Sequence, residues 1–422
     1  MGDHMKEIVQ LTRSVTLIAL LAVLAQSCNL SAADWWQFRG PLGNGVAGQA
    51  DLPVKWDTET NVRWKIPLSG QGWSSPLIVG GRIYLTAAVP TDSGYSLRAL
   101  AIEAVSGKQA WETEVFVQPG AAPAIHGKNS HASPTPVLVD GRLYVHFGHQ
   151  GSACLDTKGK VLWKATDIDY APVHGNGGSP IVVNGKMIFS VDGAKQTFVV
   201  ALNCKDGSEA WRHNRNSDAA RKFSFSTPVA VDVNGRTQII SPGTDVVHSL
   251  DLEDGSVVWY ATYDGYSVVP RPIYGHGMVY MGTGWGTPNV LAISVDGKGD
   301  VTETHIRWRL SRGAPHTPSL LLVKDDLFMV SDRGIASCVD ARTGEIHWQQ
   351  RIGDAYSASP IYAGGRVYFL SEGGIGTVIA AAREFQSLGI NKIGERTLAS
   401  YGVTGNALII RTGKQLYRIE AP

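Results

Sequence analysis

Charge and cysteine are both scarce in this chain of 422 residues. Only 18% of its residues are charged and the formal net charge is +1, so it carries no basic field of the kind that draws nucleic acid to a protein, which argues against a nucleic-acid partner. The four cysteines, Cys28, Cys154, Cys204 and Cys338, include no adjacent pair and none of the tight spacing that makes a zinc motif specific, so no metal site is expected. Cys154 and Cys338 fall in apolar strands and read as small buried hydrophobes. Helix signals are almost absent, which leaves an all-β class.

Long apolar runs are missing too. Residues 15–25 form an apolar run of eleven residues, too short to span a bilayer but suited to the core of an export signal, with Lys6 and Arg13 ahead of it. Ser31-Ala32-Ala33 before Asp34 fits a small-x-small cleavage site. A lipoprotein reading, with lipid on Cys28 and membrane attachment only through it, is the alternative; Gln26 departs from that pattern. The expected organisation is a signal peptide over 1–33, an N-terminal extension over 34–55 and a repeat domain over 56–422, in a protein exported to the periplasm or cell envelope.

Against these absences stands a strong periodicity. Tryptophans recur at 64, 111, 163, 211, 259, 308 and 348, spaced 47, 52, 48, 48, 49 and 40 residues. A second mark keeps the same period: Ser75-Pro76, Thr135-Pro136, Ser179-Pro180, Thr227-Pro228, Arg271-Pro272, Thr317-Pro318 and Ser359-Pro360 each open a β-rich run. A unit of this length holds four short strands and cannot bury its own core, so the units must pack side by side as blades of a β-propeller. Turns such as Asn184-Gly185 and Asp140-Gly141 separate the strands.

Inner strands starting near 76, 136, 180, 228, 272, 318, 360 and 399–400 make eight blades of four strands, with seven as the alternative count. The last unit ends after three strands, and the first Trp strand precedes any complete unit. Pairing residues 61–67 with 415–420 completes the last blade and removes the open edges.

The connections divide between two faces. One carries terse turns, at Arg142, Lys160 and Lys186 among others; the other collects the long, chemically varied loops, and function belongs on loops held by a rigid scaffold. Candidate ligand-binding residues on that face are Lys128, His131, His174, Asp192, Lys222, Tyr266, Arg271, Trp285, His316, Asp332, Arg333, Glu372 and Arg411. The cations beside carboxylates suit an anionic ligand, and Trp73, Trp285, Tyr170, Tyr266 and Tyr356 offer stacking surfaces for a sugar or planar ring. A solvated rim with interblade ion pairs is the competing reading. The expected role is non-catalytic binding of a small ligand, with carbohydrate as the candidate class, or of an envelope protein. An enzyme acting on a carbohydrate or alcohol at the central funnel is the alternative.

The segments from Leu250 to Trp259 and from Cys338 to Trp348, with the pattern Asp-x-x-x-Gly before the tryptophan, resemble repeats of the PQQ-like β-propeller family. The opening Trp35-Trp36-Gln37-Phe38-Arg39-Gly40-Pro41 is similar to that of exported members in planctomycete-type bacteria. This resemblance implies the propeller fold. It also brings two contrasting precedents, quinoprotein dehydrogenases with pyrroloquinoline quinone (PQQ) and calcium, and the non-catalytic lipoprotein of outer-membrane β-barrel assembly. The dehydrogenases typically carry an adjacent cysteine pair that this chain lacks, so neither PQQ nor calcium is expected.

Overall fold

A computed structural model describes residues 34–120, 124–168, 170–353 and 355–421. The export-signal reading and Cys28 lie outside the described residues. The described chain is all β apart from one 3-10 turn at Gly148–Gln150. Eight antiparallel sheets follow one another, and within a blade the strands run outward in chain order, as in Ile181–Val183, Lys186–Asp192, Thr197–Asn203 and Glu209–Asn214 of blade three.

Blade eight is the exception that closes the ring. Its inner three strands are Gly402–Thr404, Ala407–Arg411 and Gln415–Glu420, and its outer strand is Val62–Pro67 from the other end of the chain. The pairing is antiparallel, Ile66 opposite Leu416 and Trp64 opposite Arg418, with one irregularity between Val62 and Trp64. This is the pairing the incomplete end units predict. Blade four has a fifth strand that the repeat did not foretell, where Gly299–Asp300 adds parallel to the outer strand at Trp259.

The periodic tryptophans join neighbouring blades. Each indole N–H donates to a backbone carbonyl in the next blade: Trp64 to Ala104, Trp111 to Thr157, Trp163 to Cys204, Trp211 to Leu252, Trp259 to Val295, Trp308 to Ala341 and Trp348 to Ala382, all at 2.9–3.1 Å. For Trp64, Trp111, Trp163, Trp211 and Trp308 the ring lies on the turn glycine of that blade, Gly107, Gly159, Gly207, Gly255 and Gly344. At Gly255, with φ +72°, an added Cβ would stand 2.6 Å from the Trp211 ring, so both the turn and the close approach require glycine. Blade seven has no such tryptophan. There the extension substitutes, Trp56 stacking on Tyr368 at 6.5 Å with its backbone N–H on the Asn391 side chain.

The Ser/Thr-Pro marks form a belt around the channel. The backbone N–H of Ser75 donates to Thr135 Oγ1, Thr135 to Ser179, Ser179 to Thr227, Arg271 to Ser319, Ser319 to Ser359, Ser359 to Ser400, and Ser400 back to Ser75, at 2.9–3.1 Å. The belt residue of blade six is Ser319, two before the inner strand Leu321–Val323, and not Thr317 as the Pro pairs suggest. At the junction of blades four and five the hydroxyl is replaced by Arg271.

Residues 35–48 cross the channel and pair with inner edges that would otherwise be bare. Trp35 bridges Ile78 of blade one, the Trp36 carbonyl accepts from Leu138 of blade two, Arg39 Nη2 donates to the Leu320 carbonyl beside blade six, and Val46 bridges Tyr362 of blade seven. Trp35 and Arg39 are fully buried. The extension is therefore a plug built into the ring.

Deleting all residues before Gly70 is expected to expose the edge of Gln415–Glu420 and unseat the plug, producing aggregation and a lower Tm; a truncated protein that stays monomeric with unchanged melting would contradict the closure. A second expectation concerns acid. Burial first, then Arg215 and His213, push His248 down to about 2, so the folded state favours the neutral ring. Stability from this group is complete above the unfolded value near 6.5 and falls as pH drops below it, by roughly 1 kcal/mol per pH unit for one proton. His248→Phe should give a shallower loss of Tm between about pH 6.5 and 4; an unaltered acid limb would refute this.

Candidate functional site

The long loops surround a cavity of about 400 Å³ at the channel mouth. Phe38 of the plug lines it. Its wall is the belt itself: Ser75, Thr135, Ser179, Thr227, Ser319, Ser359 and Ser400 all line it. Each of these hydroxyl oxygens except that of Ser319 accepts a belt N–H from a neighbouring Ser or Thr, and Ser319 accepts from Arg271. Among the described residues none passes its own proton to a protein acceptor. The wall is consequently a circle of unused O–H donors.

The rim is aromatic. Ring contacts run edge-on from His126 to His174 (5.4 Å), His174 to Phe223 (5.1 Å) and Phe223 to Tyr266 (5.9 Å). Tyr266 then bridges Trp285 through the backbone, and Trp285 stacks on His316 at 4.4 Å. Trp73 lines the other side under the Arg396 guanidinium. The Arg221 guanidinium covers the Tyr266 ring at 4.6 Å and donates to its hydroxyl. His174 holds a left-handed backbone, φ +64°, uncommon for a non-glycine residue. Its carbonyl accepts from His126 N–H and from the Asn129 side chain, tying two rim loops together.

One ion pair crosses the mouth. Lys128 from the loop into blade two reaches Glu372 of blade seven at 2.7 Å, and Arg396 donates to the Gly127 carbonyl at 2.6 Å. Glu372 also accepts from Ser357. Burial lowers the His131 imidazole, and burial followed by the His126 charge lowers His174, so both are neutral near pH 7. The Asp332 carboxyl is raised by burial, but bonds from His316 and Thr317 outweigh this and hold it below its ordinary value.

Of the thirteen candidates, Lys128, His174, Tyr266 and Trp285 line the cavity. Glu372 holds Lys128, and His316 stands behind Trp285 with Nδ1 3.4 Å from Asp332. Lys222 is half-buried beside Phe223, and Arg333 is exposed with its carbonyl accepting from Arg351. The remaining four are turned into the scaffold. His131 packs on Tyr95 at 4.5 Å under the long hairpin of blade one, and Asp192 is buried against Arg215 at 2.8 Å. Arg271 holds the Phe38 carbonyl and Gln37, and Arg411 holds Ser74. Tyr170 and Tyr356 are buried and offer no stacking face.

Sequence reasoning missed Phe38, His126, Phe223 and Phe225, and it read the belt only as a repeat mark. Phe223 and Phe225 stand beside the candidate Lys222 in the same loop, but alternation within a loop does not say which ring faces a channel. Among the described residues the cavity lining holds one cation, Lys128, and no carboxylate. Among the described residues no group of three or more His, Cys, Asp and Glu is placed to hold a metal ion.

The family model described as outer membrane protein assembly factor BamB matches this chain over residues 45–166, 101–304 and 290–385. Among curated proteins, quinoprotein alcohol dehydrogenase PedH of Pseudomonas putida is 29% identical over 185 residues, 40% of this chain and 29% of that protein. The outer membrane protein assembly factor BamB of Yersinia pestis is 26% identical over 192 residues, 42% of this chain and 44% of that protein. The matched stretches thus span less than half of either relative. Among solved structures, BamB from Moraxella catarrhalis superposes with a TM-score of 0.63 at 15% identity, covering 85% of this chain and 96% of that one. A europium-containing methanol dehydrogenase gives 0.63 at 10% identity, covering 92% and 98%. At such identities the structural likeness shows the fold alone. The family matches together run from residue 45 to residue 385, through most of the eight-bladed ring, and the chain belongs to the BamB-type family of PQQ-like propeller repeats.

Proposed function

We propose that this protein is a non-catalytic binding propeller, exported by its N-terminal segment, whose plugged funnel takes a neutral, oxygen-rich small ligand of the carbohydrate type. The observation that carries the reading is the circle of unused hydroxyl donors beneath an aromatic rim. Donors without acceptors suit a ligand bearing several hydroxyl or ether oxygens, and aromatic faces suit the C–H faces of a sugar ring. A carbohydrate makes both demands at once. A charged ligand finds less support, since Lys128 is already neutralised by Glu372.

The described carboxylates do not favour catalysis, which leaves the cavity-lining imidazoles of His126 and His174 as the acid–base groups of the enzyme alternative. General acid–base work needs a group free to take or give a proton at the reacting atom, while the rim carboxylates Glu372 and Asp332 are engaged by Lys128, Ser357, His316 and Thr317. PQQ carries three carboxylates and is held with calcium. Among the described residues the lining offers one paired lysine and no carboxylate, which does not fit that pair, and we assign the protein no quinone or metal cofactor. The family membership favours a second reading, in which an envelope protein docks on the rim with Trp285, 46% exposed, as its anchor.

Titration of intrinsic tryptophan fluorescence with neutral mono- and disaccharides tests the first reading. Binding should weaken about tenfold or more in Trp285→Ala and Phe223→Ala, and less than twofold in Arg142→Ala and Lys160→Ala on the turn face. Absence of binding across the panel, or a larger effect on the turn face, would overturn it. Absorbance titration with PQQ and calcium should give no stoichiometric complex at micromolar concentration; a complex would return the dehydrogenase reading to first place.

A further inference from the structure

Arg39 and Arg271 are 1% and 3% exposed, yet neither forms an ion pair among the described residues. Arg39 uses only Nη2, on the Asn44 and Leu320 carbonyls, and its Nε and Nη1 have no acceptor. Arg271 uses Nη1 on the Phe38 carbonyl and Nη2 on Gln37 Oε1, leaving Nε without one.

The two guanidiniums are neighbours under a single turn. A Cβ at Gly43, φ +64°, would lie 2.2–2.6 Å from the Arg271 guanidinium, and one at Gly45 would lie 2.7 Å from Arg39 Nη2. The turn thus seals both cations from solvent, and bulk water cannot supply the missing acceptors. Burial, and then the Arg271 charge, push Arg39 down to about 9. Burial pushes Arg271 down to about 9 as well, so both guanidiniums remain charged at neutral pH. Two buried like charges with free donors and no carboxylate are costly unless a counter-ion completes them.

The position of Arg271 points the same way. It occupies the one belt site that lacks a hydroxyl, and so interrupts a circle that is otherwise closed. A residue that only lined the channel had no need to be a cation there. Its guanidinium instead reaches the plug, where Arg39 is the other cation.

We propose that the plug and the inner edge of blades five and six enclose a binding site for one small inorganic anion, held by Arg39 and Arg271, that locks residues 37–45 into the channel. The site is separate from the funnel, which neither arginine lines. It stands whatever the funnel's ligand proves to be.

Two anion sources are separable. Thermal unfolding at matched ionic strength should show a saturable rise in Tm of about 3 °C or more with chloride or with phosphate over gluconate, whichever the site takes. Arg39→Met and Arg271→Met should lose that rise. Because either variant can fail to fold, the unaltered protein crystallised with bromide provides a second readout, an anomalous peak between the two guanidiniums; for a phosphate-specific site the peak is replaced by tetrahedral density there. Equal Tm in all three anions with neither peak nor density between Arg39 and Arg271 overturns the proposal, as does an anion response unchanged in both variants.

Discussion

Backbone hydrogen bonds between Val62–Pro67 and Gln415–Glu420 hold the two ends of the chain together, and the rest of the molecule depends on that joint. A propeller blade buries its apolar faces only against neighbours on both sides, so a ring open at one junction exposes two faces and an unpaired edge. The tryptophan contacts pass force from one blade to the next around the ring, and Trp64, on the closing strand, carries the link from blade eight to blade one. Losing the joint therefore removes a strand ladder and an interblade contact together.

The same constraint shapes the channel. Inner strands face the axis with one edge free, and eight of them converge there. Residues 35–48 cover several of these edges and bring Phe38 to the lining of the funnel. The belt hydroxyls take the neighbouring blades' N–H groups and still keep a proton for the cavity. Under the proposed function, packing and binding would draw on the same atoms: the groups that satisfy the inner backbone are also the donors offered to the cavity.

Much of the scaffold was legible because a repeat is read many times over. Blade number, tryptophan role, turn positions and terminal closure all follow from periodic residues whose meaning is fixed by burial of neighbouring faces. The register of blade six was not, because Thr317-Pro318 imitates the mark two residues early and only the strand start at Leu321 settles it. The cavity was legible as a face and its lining only partly as residues. Lys128, His174, Tyr266 and Trp285 come together as loop residues on that face. Asp192, Arg271 and Arg411 carry the same residue types but are turned inward, to Arg215, the plug and Ser74. Charge in a loop does not disclose whether its partner is solvent, ligand or scaffold, and Phe38 reaches the funnel from a segment with no place in the repeat.

Native-state amide hydrogen exchange of the full chain tests most directly whether the terminal strand and the plug are integral to the ring. The account predicts that peptides covering 35–48, 62–67 and 415–420 exchange as slowly as central strands such as Thr197–Asn203, through global unfolding alone. Exchange of 35–48 and 62–67 within minutes, while the central strands stay protected, would contradict it.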